Sequence, residues 1–157
     1  MGCIAGALPD RPVRASIVRM VTLPAEARSL IESDALAHLV TINPDGSPQV
    51  TCIWVGLDGD EIVSGHMFHV LKLKNVERDP RVVLSIEART RNEMNLQEYL
   101  VIRGTARVEE GRAAELLQDL AHTYMGPDAV FPPPGVESPG FVLRVTPERL
   151  GGVGPWA

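Results

Sequence analysis

Between Leu36 and Gly65 the chain repeats one local pattern: a short run of apolar and β-branched residues, then a segment suited to a tight turn. Leu36 to Ile42 is followed by Asn43-Pro44-Asp45-Gly46, Pro48 to Leu57 by Asp58-Gly59-Asp60, and Glu61 to Gly65 completes the series. Pro44 presets a turn, Asp58 can bond the backbone two residues on, and Gly46 and Gly59 admit positive φ. Three strands in a meander are expected, which commits this part of the chain to antiparallel β-structure.

Further along, Arg81 to Glu87, Tyr99 to Glu109 and Phe141 to Thr146 read as strands, with Ala88 to Asn95 a polar connection. Gly104, inside a strand pattern, marks a bulge or a close backbone approach. Three helices punctuate the strands. Pro24 to Ser33 carries Ala27, Leu30 and Ile31 on one face, and Phe68 to Arg78 stops at Asp79-Pro80, where the proline disfavours helix before it. Gly111 to Tyr124 aligns Ala114, Leu117, Leu120 and Ala121. Met125 to Gly140, with Pro127, Pro132 to Pro134 and Pro139, is a stiff loop suited to a lid or an interface arm. Pro147-Glu148-Arg149 reads as a turn into a tail ending at Trp156. The fold class is mostly β: a six-stranded antiparallel split β-barrel with peripheral helices. Residues 1 to about 20 read as a flexible lead-in, and 21–157 as one domain.

Composition narrows the function. A formal net charge of −5 opposes nucleic-acid binding, which needs an excess of Lys and Arg on one face. No stretch approaches the roughly 18 apolar residues of a membrane span, and Met1 to Arg19 lacks a signal-peptide core, so a cytoplasmic protein is expected. Only 4% of residues are aromatic, so the core must be aliphatic. Cys3 and Cys52 form no disulfide framework; the first reads as a tail thiol and the second as a small core residue.

The chemistry-bearing residues are few. Lys72 and Lys74, with Asn75 beside them, fall on the short helix after the third strand, where ammonium groups and helix-start N–H groups can hold a phosphate. On spacing alone the same segment reads first as a solvated basic face balanced by Glu77 and Asp79. His66 and His69 stand three apart without a carboxylate or cysteine to complete a metal site, and His66 instead reads as lining a cleft at the strand end. Ser64 lies in no nucleophile elbow, and neither a Rossmann nor a P-loop glycine pattern occurs. Trp156 docks either on a partner or cofactor ring, or within its own chain.

The ordered set Asp45-Gly46-Ser47-Pro48-Gln49-Val50, Ile53-Trp54-Val55, Lys72-Leu73-Lys74-Asn75-Val76-Glu77-Arg78-Asp79-Pro80-Arg81 and Arg103-Gly104-Thr105-Ala106 resembles the pyridoxamine 5′-phosphate oxidase-like superfamily. Within it, the subgroup that uses the deazaflavin coenzyme F-420 is the nearest, with Thr146-Pro147-Glu148-Arg149 and Gly154-Pro155-Trp156 adding to the likeness. The resemblance implies a homodimer with two cofactor clefts at the subunit interface. Carried over position by position, it implies Lys72, Lys74, Asn75 and Gln49 as cofactor-binding residues; Pro48, Ser64, His66 and Trp156 are candidates beside them, and no metal is expected. Two positions depart from it: Ser64-Gly65-His66 and Val70 stand where a threonine or serine and a further basic residue are common. The C-terminal substrate segment of true pyridoxamine-phosphate oxidases is absent. The implied activity is hydride transfer from reduced F-420 to an electron-poor small molecule. An FMN-dependent oxidoreductase, or a non-catalytic flavin- or haem-binding protein, is the alternative on the same fold.

Overall fold

The computed structural model describes residues 20–157. All of the expected lead-in except Met20 therefore lies outside the described residues. The elements run α1 (Ala25–Ile31), β1 (Ala37–Ile42), β2 (Pro48–Ile53), β3 (Gly56–Asp58), β4 (Glu61–His66), α2 (Leu71–Arg78), β5 (Arg81–Arg91), β6 (Gln97–Glu110), α3 (Ala113–Met125) and β7 (Phe141–Val153). Every strand pair is antiparallel, in the order β2-β1-β5-β6-β7-β4-β3.

The count of seven strands rather than six comes from the run 48–57, expected as one strand. It divides at Trp54-Val55: β2 pairs with β1 at one edge of the sheet, and β3 pairs with β4 at the other. Ile53 and Gly56 are three residues apart, a reach of at most about 11 Å. The two edges must therefore converge, and the sheet closes on itself as a barrel split at that point. The backbone of the break is not left unpaired. The Tyr124 hydroxyl accepts from the Val55 N–H at 3.0 Å and lies within 3.3 Å of the Ala35 and Val55 carbonyl oxygens, while its ring stacks on Trp54 at 5.3 Å.

Alternation on the strands decides what fills the barrel. Leu39, Ile62, Leu84, Ile86, Leu100, Ile102, Leu143 and Val145 point inward and are essentially inaccessible, joined by Ala27 and Ile31 of α1 and Leu73 and Val76 of α2. The core is aliphatic, as the composition requires. A smaller cluster of Val63, Ala113, Leu117 and Val142 fixes α3 on the outer side of β4. No described helix is long and apolar enough to cross a membrane.

Several local expectations change. α3 buries Leu117, Leu120 and Ala121 as expected, but its first buried residue is Ala113, and Ala114 faces solvent. α2 starts at Leu71 rather than Phe68, because Val70 is still extended. The polar connection contracts to 92–96, where the Asn92 side chain accepts from the Met94 and Leu96 N–H groups at 3.0 Å. Pro147-Glu148-Arg149 is no turn: β7 runs through it to Val153, with a register shift opposite Arg103 and Gly104. Cys52, expected in the core, is exposed on edge strand β2.

Candidate functional site

β4 ends in Ser64-Gly65-His66, and the period of two puts Ser64 and His66 on one face and Gly65 on the other. Gly65 is where α3 packs: a Cβ there would lie 2.7 Å from Leu117 Cγ. All three residues border a cleft of about 390 Å³, walled on the α3 side by Leu117, that also takes in Lys72 and the apolar side chains of Trp54, Met67, Phe68 and Phe131. The Ser64 hydroxyl and the His66 Nε2 are both buried without a hydrogen-bond partner. Orphaned buried polar atoms are uncommon, because each forfeits about 1–3 kcal/mol of hydration with nothing in return. Two in one cleft point to a polar ligand.

The charge in the cleft is of one sign. Lys72 is half-buried on the first turn of α2, and burial lowers its pKa. Among the described residues no carboxylate pairs with it, and none of the residues lining the cleft is acidic. Burial, reinforced by the nearby Lys72 ammonium, brings the His66 imidazole down to about 4. The start of α2 adds its positive dipole end. Among the described residues that line the cleft, the one fully charged side chain is a cation. A second hollow of about 340 Å³ is of mixed charge, with Asp58, Glu109, Glu110, Glu115 and Asp119 outnumbering Arg112 and Arg144.

Of the eight residues the sequence nominated, the structure brings Ser64, His66 and Lys72 together. Asn75 is wholly buried beneath α2: its Nδ2 donates to Thr41 Oγ1 and Asn43 Oδ1, each at 3.0 Å, and its Oδ1 accepts from Arg78. Gln49 joins the same network, accepting from Thr41 Oγ1 at 2.9 Å. These two residues pin α2 to the β1–β2 hairpin and so position Lys72 rather than line the cleft. Lys74 and Pro48 are exposed outside it. Trp156 also lies apart. Its indole donates to the Tyr99 carbonyl at 3.0 Å and packs into the main core, so of its two readings the structure shows the anchor within its own chain.

His69 turns away from His66 to meet the Glu77 carboxylate at 3.0 Å. The residues that sequence reasoning missed are the apolar walls, above all Phe131. Gln118 clamps the proline-rich loop, its Oε1 accepting from the Phe131 N–H at 3.1 Å and its Nε2 donating to the Ala129 carbonyl at 2.8 Å. Phe131 thereby meets Trp54 edge-on at 5.4 Å. The lid-like length of that loop was the available signal, but not which residue it carried. Replacing Asn75 with leucine is expected to strand the Thr41 and Asn43 acceptors and cost about 2–3 kcal/mol. In a thermal melt that is a loss of roughly 5–10 °C.

A split barrel with a lysine-bearing, largely apolar cleft at the mouth between β4 and α2 is the class of protein this geometry defines. The sequence matches the pyridoxamine 5′-phosphate oxidase family model over residues 23–154, and the chain belongs to that family. Solved structures agree in fold. An F420 reductase is 27% identical with a TM-score of 0.66, over 82% of this chain and 98% of its own. A conserved hypothetical protein of Mycobacterium tuberculosis is 24% identical with a TM-score of 0.65, over 85% of each chain. A putative pyridoxamine 5′-phosphate oxidase of Listeria innocua is 20% identical with a TM-score of 0.57, over 80% of this chain and 93% of its own. No curated protein matches by sequence.

Proposed function

We propose that this protein is an oxidoreductase that holds the phosphate-bearing tail of coenzyme F-420 against Ser64, His66 and Lys72 and reduces an electron-poor small molecule. The observation that carries the reading is the pair of unpartnered buried polar atoms beside a half-buried lysine, in a cleft with no acidic lining among the described residues. Similarity to an F420 reductase supports the choice of cofactor. When bound, the deazaflavin supplies the hydride chemistry. The chain's own part is to anchor the anion, orient a planar ring and keep water away. Trp54, Met67 and Phe131 give the cleft an apolar wall suited to the last two tasks.

Equilibrium titration of the purified protein with F-420 and with FMN, followed by turnover with reduced F-420, tests this. F-420 binding with turnover is the expected result, and failure of both cofactors to bind below millimolar concentration overturns it. Preference for FMN would identify the FMN-dependent alternative on this fold. Binding without turnover would identify a sequestering protein.

A second copy of the chain belongs to the same reading. Val50, Val40 and Val83 stand in register across β2, β1 and β5 on the face away from the core, and Val50 is 62% exposed. An apolar row on an open sheet face suits a homodimer interface, and dimer-borne clefts would bring it next to the cofactor. Light scattering is expected to show a dimer. Val50→Asp, at a site already open to water, is expected to raise the dimer dissociation constant about 100-fold with little change in monomer stability. A dimer unmoved by this variant would place the interface elsewhere.

A further inference from the structure

His66 has Nε2 buried and unpartnered at the end of β4, and among the described residues that line its cleft there is no carboxylate to balance a positive charge there. On its own strand the neighbour is Ser64. From α2 comes Lys72, a cation. Across the ladder β7 presents Phe141, and α3 presents Leu117; both are apolar. In the segment leading to α2, His69 is engaged with Glu77. On β2, Ile53 lines the cleft, and Cys52, exposed on the same strand, favours the charged form of Lys72, an effect smaller than that of burial. With its pKa near 4, the imidazole of the free cleft is neutral at pH 7. None of the described residues lining the cleft brings the counter-charge that a bound anion would.

We propose that an oxyanion entering this cleft, of the kind a phosphate ester presents, draws a proton onto His66, so that ligand binding and proton uptake are one event. Nothing is oxidised and no covalent bond changes apart from N–H formation: the proton comes from solvent and rests on the imidazole while the anion is bound. The imidazolium then stands with Ser64 and Lys72 as a third donor, and a charge-assisted contact replaces an orphaned nitrogen. The inference rests on the anion-binding reading of the cleft, and on the cofactor reading only for what carries the anion.

The sign of the linkage follows from the two protonation states. Between the free-cleft value of about 4 and the higher value in the complex, each bound anion takes up close to one proton. Affinity therefore rises about ten-fold for each unit of falling pH in that window. Below it the free cleft is already protonated, and above it the complex is not, so both limits are flat.

Sulfate is the probe, because it stays dianionic throughout, whereas a phosphate monoester itself titrates near pH 6. Calorimetric titration of the full chain at constant ionic strength, in buffers of different ionisation enthalpy between pH 5 and 7, reads the proton count directly. F-420 is titrated in parallel. The expected result is about one proton per sulfate at pH 5.5 and a ten-fold affinity loss per unit rise in pH, both abolished in His66→Asn, which keeps an amide donor. In the wild-type protein, which needs no variant to fold, the ¹⁵N signals of the His66 ring are expected to move from the neutral to the imidazolium pattern as sulfate saturates. Sulfate binding with an unchanged ring signal, or with equal proton uptake in His66→Asn, would overturn the proposal. Sulfate binding with proton uptake but no F-420 binding would sustain it and sink the cofactor reading. F-420 binding without proton uptake would do the reverse, and binding of neither would sink both.

Discussion

Lys72→Ala is expected to weaken F-420 and FMN binding by about 10- to 100-fold, whereas Lys74→Ala changes it by less than about two-fold. Lys72 lines the cleft half-buried, with no carboxylate partner among the described residues. Its ammonium has already given up part of its hydration, so an anion that pairs with it recovers an interaction water no longer supplies. Lys74 stands two residues on, exposed outside the cleft. Its attraction to a bound phosphate is screened by solvent and salt. Fluorescence titration at two ionic strengths separates the cases: added salt is expected to reduce the effect of Lys72→Ala far less than that of Lys74→Ala. Equal losses in the two variants would mean that the helix acts as a diffuse basic face, and the anchoring role of Lys72 would be lost.

That diffuse-face reading was the one spacing alone favoured for Lys72-Leu73-Lys74-Asn75, and the reason shows in the fold. Four consecutive residues of a helix point in four directions about 100° apart. One of them reaches the cleft, one faces solvent, and two are buried. Sequence order brought the segment to the strand end but could not say which side chain turned inward without knowing what α2 packs on. Asn75 illustrates the point. Its match to a family motif led to the cofactor, while its burial against Thr41 and Asn43 shows a residue that holds the helix.

The antiparallel meander was legible because its turns are local chemistry: Gly46 and Gly59 do adopt positive φ. Division of the run 48–57 was not, since a strand that changes partner midway keeps the same alternation and only the closed barrel breaks it. The apolar walls were equally hidden. Phe131 and Trp54 lie 77 positions apart and meet only through the Gln118 clamp on the proline-rich loop. Ser64 and His66 could be nominated from their place at a strand end. That both lack partners is a fact of packing.

Gly104→Ala is expected to destabilise the protein by about 3 kcal/mol or more, while Gly151→Ala on the neighbouring strand stays within about 0.5 kcal/mol. A Cβ at Gly104 would lie 2.1 Å from the Thr146 carbonyl oxygen and 3.1 Å from its carbon; at Gly151 it would meet nothing within 4 Å. The obstruction at Gly104 is backbone on backbone, so no rotamer change relieves it and the two strands must separate. They approach so closely because Pro147, opposite Gly104, has no N–H for the ladder and the register shifts there. Urea unfolding is expected to show a lower midpoint for Gly104→Ala with an unchanged m value; a midpoint within error of wild type would mean that the strands tolerate the extra carbon. The consequence extends to the cleft. β7 runs from this contact back to Phe141, which pairs with His66, so the curvature set at Gly104 helps determine where the end of β4 stands relative to α2. Opening the contact is therefore expected to loosen the juxtaposition of Ser64, His66 and Lys72 as well as the barrel, and a Gly104→Ala variant still folded at low temperature is expected to bind F-420 more weakly than Gly151→Ala.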